Sequence, residues 1–396
     1  MANNTGFTGF TGFTGFTGFT GFTGFTGFGG GTADSGAGPL LADGLTRSRE
    51  AHLRLAQQSD FGSNPLPFLP GLIRNWGNNP LSLPTPGPNW LSRIGQHIRI
   101  QLCVTEAMAQ IRVPKMRIVD AHNGCKSAVI SPTYSGMNST FNLYRPSRAV
   151  FDAQARRVES WAALRSERIP EILTQVGPPH AYWSSILHLN PEIVPYSIEL
   201  VMVMLELAAI VVQKIKYETV VPRPSDFSAR IQPMIENPGF FAWPSGHATQ
   251  AFAVTEVLCH LSLPVDNSAN KTAWAEARAQ LWRQADRIAT NRVVAGLHFP
   301  ADSEAGCELG HWLAQIMLHS ATGIWVRSAT SGDYSFDDSN DKDHDFDYTR
   351  HIRNQSSFDP QQVPAPMLPD KSTNDTALGW LWGMARREWC RAGLMP

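Results

Sequence analysis

The chain lacks paired-cysteine spacings, long uninterrupted apolar runs and any marked excess of charge, and each lack removes a class of function. Its five cysteines, Cys103, Cys125, Cys259, Cys307 and Cys390, are scattered and odd in number. No Cys-x-x-Cys spacing occurs, so reduced and mostly buried thiols are expected rather than a disulfide framework. Net charge is −1 with no basic field, which speaks against nucleic acid as a partner. The most hydrophobic stretch, Leu200 to Val212, is preceded by Glu199 and interrupted by Glu206. It is shorter than the roughly 20 residues a membrane span needs, so it reads as a core helix. The first cation is Arg47 and no apolar h-region precedes it; a secretory signal is not expected and a cytoplasmic location is.

What is present is helical. With 396 residues, 42% of them apolar, the chain can bury one large domain and still carry tails. Residues 150–176, 197–217, 245–261 and 271–294 place apolar side chains at helical spacing, and no comparably long alternating run appears. The expected class is all-α. Residues 5–28 are eight consecutive Thr-Gly-Phe triplets, read as a disordered low-complexity tail that could self-associate through its phenylalanines. Four regions follow: the tail at 1–45, a helical catalytic domain at 46–325, an acidic proline-containing loop at 326–376 and a C-terminal helix at 377–396. Pro65 to Pro88 is loop-like, with Trp76 and Trp90 expected to pack it onto the body. Asp341, Asp343, Asp345 and Asp347 alternate, but Phe346 and Ile352 stand where a calcium loop needs glycine and glutamate, so a solvated loop is expected.

Three fragments carry chemistry: Lys216 with Arg223-Pro224, then Pro244-Ser245-Gly246-His247, then Arg292 with His298 and Asp302. Lys216 and Arg223 stand two helical turns apart, and His298 one turn before Asp302, so each pair can share a face if the local chain is helical. Cations about 6 Å apart at an effective dielectric of about 20 repel by about 3 kcal/mol per pair. A phosphate or vanadate reverses the sign, since each charge-assisted hydrogen bond contributes about 1.5–3 kcal/mol. Ser245 is a candidate N-cap and Gly246 lies in the first turn of the following helix, where free N–H groups favour an anion. His298 can bond the central atom, as metal ligand or as nucleophile, with Asp302 orienting its ring and His247 left for proton transfer. Asp302 beside Pro300 equally suits helix initiation.

In order and spacing these motifs resemble the superfamily that joins type 2 phosphatidic acid phosphatases, bacterial acid phosphatases and vanadium-dependent haloperoxidases. Asn291 departs from the serine usual before the arginine of the third motif. The resemblance implies a helical bundle with Lys216, Arg223, Ser245, Gly246 and Arg292 binding the oxyanion. It implies His247 as acid/base and His298 as the group attached to phosphorus or vanadium.

Two reactions fit. In one, the resemblance implies that His298 ligates a vanadate cofactor and that the enzyme oxidises halide with peroxide; in the other, no cofactor is needed and His298 attacks a phosphate ester to form a phosphohistidine. Ala248-Thr249 after the second motif, an aromatic wall expected from Phe240, Phe241 and Trp243, and the missing signal tilt the expectation to the haloperoxidase. A soluble acid phosphatase is the alternative. A third reading, a scaffold working through the Thr-Gly-Phe tail, is disfavoured by the complete motif set; deleting residues 1–45 discriminates it.

Overall fold

The computed structural model describes residues 87–120, 126–135, 141–177, 180–262, 271–323, 333–335, 344–349 and 376–391. The Thr-Gly-Phe tail, the boundary near residue 45, Trp76 and Cys125 lie outside them. Two units are present. In Phe22–Ile94 the described part is a short 3-10 helix, Pro88–Arg93, with the Arg93 guanidinium 4.9 Å over the Trp90 ring. Everything below concerns the unit that contains Gly95–Pro396.

Helix α1 (Gln96–Gln110) leads into short strands: β1 (Ile111–Arg112), β2 (Arg117–Asp120), β3 (Lys126–Ile130), β4 (Thr133–Tyr134) and β5 (Asn142–Arg145). Then come α2 (Arg148–Trp161), α3 (Arg165–Thr174), α4 (His180–Leu187), α5 (Pro195–Thr219), α6 (Pro224–Phe227), α7 (Gly246–Leu261), α8 (Lys271–Val294) and α9 (Pro300–Thr322). Strand β6 (Asp333–Ser335) and α10 (Ala377–Arg391) complete the described chain. Helices dominate, so the all-α expectation stands, with a small sheet the periodicity did not announce. In it β2, β3 and β5 run antiparallel and β6 joins β5 in parallel, in the register Ala128 to Arg145 and Leu143 to Tyr334.

The core is built around α5, α7 and α9. Helix α5 buries Leu200, Val203, Met204, Leu207, Val211 and Ile215 completely, each such side chain contributing about 1.5–3 kcal/mol. Its two glutamates are accommodated differently. Glu199 takes a bidentate pair from Arg99, 2.8 Å on each oxygen, and Glu206 is buried with its carboxyl pushed up by desolvation. Helices α7 and α9 cross closely because α9 presents glycine at the contact. A Cβ at Gly306 would stand 2.7 Å from the Ser245 carbonyl oxygen, and one at Gly310 would stand 2.6 Å from that of Thr249.

Carboxylates from one helix satisfy the N-terminus of another. Glu388 accepts from the Tyr196 and Ser197 N–H groups at 2.7 and 2.9 Å, and Glu106 accepts from those of Ala377 and Leu378 at 2.9 and 3.0 Å. Arg386 donates to the Leu261 carbonyl at the end of α7, 2.8 Å away. These bonds dock α10 on the bundle.

Two expectations are corrected. The pattern over 150–176 is not one helix: α2 ends at Trp161, a 3-10 turn covers Ala162–Leu164 and α3 begins at Arg165. Nor is the whole acidic loop solvated. Residues 344–349 are half-buried. Asp345 accepts from the Trp161 indole at 2.7 Å, His344 meets Glu304 at 2.6 Å, and the Phe346 ring lies 5.8 Å from that of Phe252. Aromatic side chains interleaved with the aspartates supply the apolar contact that a purely polar loop would lack.

Candidate functional site

Lys216, Arg223 and His298 reach one pocket by helix ends rather than by a shared helix face. Helix α5 stops at Thr219: Val220 adopts a left-handed conformation (φ 50°) and its N–H closes on the Lys216 carbonyl at 3.0 Å. Pro222 and Pro224 bar continuation of that helix. Arg223 is therefore the residue before α6, with its N–H bonded to Asp226 at 2.8 Å. His298 likewise precedes α9, whose N-cap is Phe299. Asp302 folds back so that one oxygen accepts from the Phe299 N–H at 3.0 Å and from His298 Nδ1 at 2.8 Å. It starts the helix and orients the ring with the same atom. Ser245 ties these pieces together: its N–H donates to the Asp302 carbonyl at 2.9 Å while its hydroxyl caps α7 by accepting from Ala248 N–H at 3.4 Å.

All three expected cations are buried: Lys216 is 1% exposed, Arg223 4% and Arg292 0%. Carbonyl oxygens hold part of each. Lys216 Nζ donates to Phe241 and Ala242 at 2.7 and 2.6 Å. Arg223 donates to Phe240 and Leu297 at 3.0 and 2.9 Å, and Arg292 Nη2 to Ile172 at 3.1 Å. Arg223 Nη2 and Arg292 Nε and Nη1 are buried without partners. Buried guanidinium N–H groups are as a rule hydrogen-bonded, and these three nitrogens suit an anion. The Phe240 ring lies 5.1 Å from Lys216 Nζ and 5.0 Å from the Arg223 guanidinium, adding a cation–π contact.

Burial and mutual repulsion set the charges. Desolvation lowers Arg223 and Arg292 to about 10, which leaves both protonated at neutral pH. Lys216 is driven well below its usual range by desolvation, then by Arg223. His247 is lowered to about 3 by desolvation, then by Arg292. His298 is also driven down, by desolvation and then by Arg223 and Lys216. Asp302 is raised to about 7 by desolvation, against the pull of the Phe299 N–H and the two nearby cations. Both histidines are thus neutral at pH 7. With Asp302 accepting on Nδ1 and Arg223 Nη1 facing Nε2 at 3.1 Å, His298 holds its hydrogen on Nδ1 and presents the Nε2 lone pair to the cations.

The structure thereby brings together Lys216, Arg223, Ser245, His247, Arg292, His298 and Asp302, and Gly246 opens α7 beside them. A Cβ at Gly246 would meet Val212 at 3.7 Å, an ordinary contact, so protein packing does not demand glycine there. The aromatic wall is divided: Trp243 is fully buried core, while Phe240 covers the cations. Sequence reading missed Gln175, whose side-chain oxygen accepts from Arg292 Nη2 at 3.1 Å and from Asn291 at 3.0 Å. It belongs to no motif, and no spacing marks it. Asn291 uses its length: it also donates to Glu171 at 2.9 Å and accepts from Arg168 at 3.0 Å, a reach beyond the serine usual at that place.

Residues 198–324 match the family model of the PAP2 superfamily. Among solved structures, a similar one is the crystal structure of the first transmembrane PAP2-type phosphatidylglycerolphosphate phosphatase from Bacillus subtilis. It is 21% identical, with a TM-score of 0.34, over 42% of this chain and 84% of that one. No curated protein matches the chain. Among the described residues no helix is long and apolar enough to cross a membrane. All three motifs lie within residues 198–324, the stretch that matches the PAP2-superfamily model.

Proposed function

We propose that the pocket hydrolyses phosphate esters through a phosphohistidine on His298. The observation that carries this reading is the held form of that ring: Asp302 fixes Nδ1, and the Nε2 lone pair faces Arg223 beside unpaired guanidinium donors. Lys216, Arg223, Arg292 and the N-terminus of α7 would bind the phosphoryl oxygens and stabilise charge in the transition state. His298 Nε2 attacks phosphorus as the ester P–O bond breaks, and Asp302 stabilises the imidazolium that forms. His247 protonates the leaving alcohol, then accepts a proton from the water that cleaves the P–N bond.

Of the residues that tilted the expectation to a haloperoxidase, Phe240 covers the cations, while Ala248, Thr249 and Trp243 serve the fold. Ala248 and Thr249 complete the cap of α7, Thr249 by donating its hydroxyl to the Ser245 carbonyl at 2.9 Å. Trp243 is core. The match to the PAP2 superfamily supports phosphatase chemistry more directly. The unpaired donors would suit vanadate as well, with His298 as its ligand; bound there, it would supply peroxide activation for halide oxidation. Purified protein should therefore hydrolyse p-nitrophenyl phosphate, with orthovanadate inhibiting. Vanadate-dependent bromination of a dione by peroxide and bromide, without ester hydrolysis, would overturn this reading. A small-molecule phosphate ester is the proposed substrate; a cytoplasmic location and tail-mediated self-association remain proposals that fractionation and sedimentation of the full chain would test.

A further inference from the structure

Gln175 stands just after α3, outside every motif, yet two groups of the pocket converge on it. Its N–H donates to the Glu171 carbonyl at 2.9 Å, fixing it at the helix end. Its Oε1 accepts from Arg292 Nη2 at 3.1 Å, and its main-chain oxygen lies 3.1 Å from His247 Nε2. The residue is fully buried. Arg292 Nη2 carries two hydrogens, and Ile172 and Gln175 take both; Nε and Nη1 are buried with no protein partner. A carbonyl oxygen only accepts, so His247 must carry hydrogen on Nε2 to bond it. Nδ1 is then the basic atom of that ring. Behind Gln175 the support is rigid: Asn291 bonds Gln175 and Glu171, and Glu171 holds Arg287 at 2.6 and 2.8 Å.

We propose that Gln175 is a positioning residue that sets two parts of the site together: its side chain aims Arg292 at the anion, and its main chain holds His247 in the Nε2–H form. The consequence for turnover rests on the phosphatase reading. A proton enters with the ester, whose second ionisation lies near pH 6, and protonates Nδ1. Nδ1–H gives it to the leaving oxygen as the P–O bond breaks, and the ring returns to its neutral Nε2–H form. The attacking water returns a proton to Nδ1 in the second step.

Gln175→Met keeps length and volume but removes the acceptor. Measured on the full chain, it should weaken inorganic phosphate binding in calorimetry and lower kcat/KM for p-nitrophenyl phosphate by about 10- to 100-fold, the scale of a small misplacement. Its melting temperature should stay near that of the wild type. Unchanged phosphate affinity and kcat/KM would overturn the Arg292 arm. The His247 arm is read without any substitution at Gln175: in the 15N spectrum of histidine-labelled wild type, the resonance that His247→Gln removes should show a protonated Nε2 and a bare Nδ1. The opposite form would overturn that arm even if Gln175→Met does not fold. Weakened phosphate binding by Gln175→Met, with a wild type that hydrolyses no ester, would sink the phosphatase reading and leave the positioning role intact.

Discussion

His298 and Asp302 lie on either side of a helix start and are joined by a hydrogen bond across it. Asp302→Asn loses the negative charge that orients His298 and stabilises the imidazolium. It should lower kcat about 10²- to 10⁴-fold, read by steady-state kinetics against an unchanged circular dichroism spectrum. The charges make a second prediction. His247 is lowered to about 3 by desolvation and then by Arg292, and a bound dianion would raise it. Phosphate binding at about pH 8, where the free ligand is already the dianion, should therefore take up protons from solution, seen as a binding enthalpy that depends on the buffer's ionisation enthalpy; an enthalpy independent of buffer would contradict it. A third concerns Asp286, which desolvation and then Asp347 raise to about 7. The folded state then binds this proton more tightly than the unfolded chain, so stability from this group is present below about pH 4 and lost as pH rises through about 7. Asp286→Asn should raise the melting temperature more at pH 8 than at pH 5, by thermal denaturation. At this scale the motif side chains were legible because their chemistry is rare in combination. Gln175 was not, since an amide and a main-chain carbonyl acquire their role only when α3 is packed against α8.

Helices set the pocket by where they end. Val220 and the prolines after it terminate α5 just beyond Lys216, and the N-termini of α7 and α9 are joined through Ser245 and Asp302. Spacing alone suggested shared helical faces; proline and capping chemistry replaced both with helix ends, and the same residues still met. The long amphipathic or apolar runs of α5, α7 and α8 were legible because burial imposes a 3.6-residue period. The short strands were not, for two to five residues cannot display a period and their pairing depends on distant partners such as β5 with β6. The α7 and α9 crossing yields a test. Gly306→Ala would drive a methyl to 2.7 Å from the Ser245 carbonyl and 2.8 Å from Ala248 Cβ. It should cost about 1–3 kcal/mol of stability and reduce turnover as well, because the displaced backbone is that of the oxyanion site. Chemical denaturation together with kinetics would check both; a variant of full stability and activity would contradict the close crossing.

At the scale of the described chain, the motif side chains lie between Lys216 and Asp302, Gln175 supports them from the preceding stretch, and α1 and α10 pack on α5. Removing residues 1–45, the repeat tail, should leave kcat/KM unchanged within about twofold, whereas a tail-driven assembly protein would lose its self-association or partner. The central claim is that His298 becomes covalently phosphorylated. The most direct measurement is rapid acid-free quenching of the enzyme with a 32P-labelled phosphate ester, followed by mapping of the label. The account predicts a base-stable, acid-labile phosphoenzyme that maps to His298 and is absent from His298→Ala, which should also lack turnover. Ester hydrolysis by His298→Ala, or label on another residue, would contradict it.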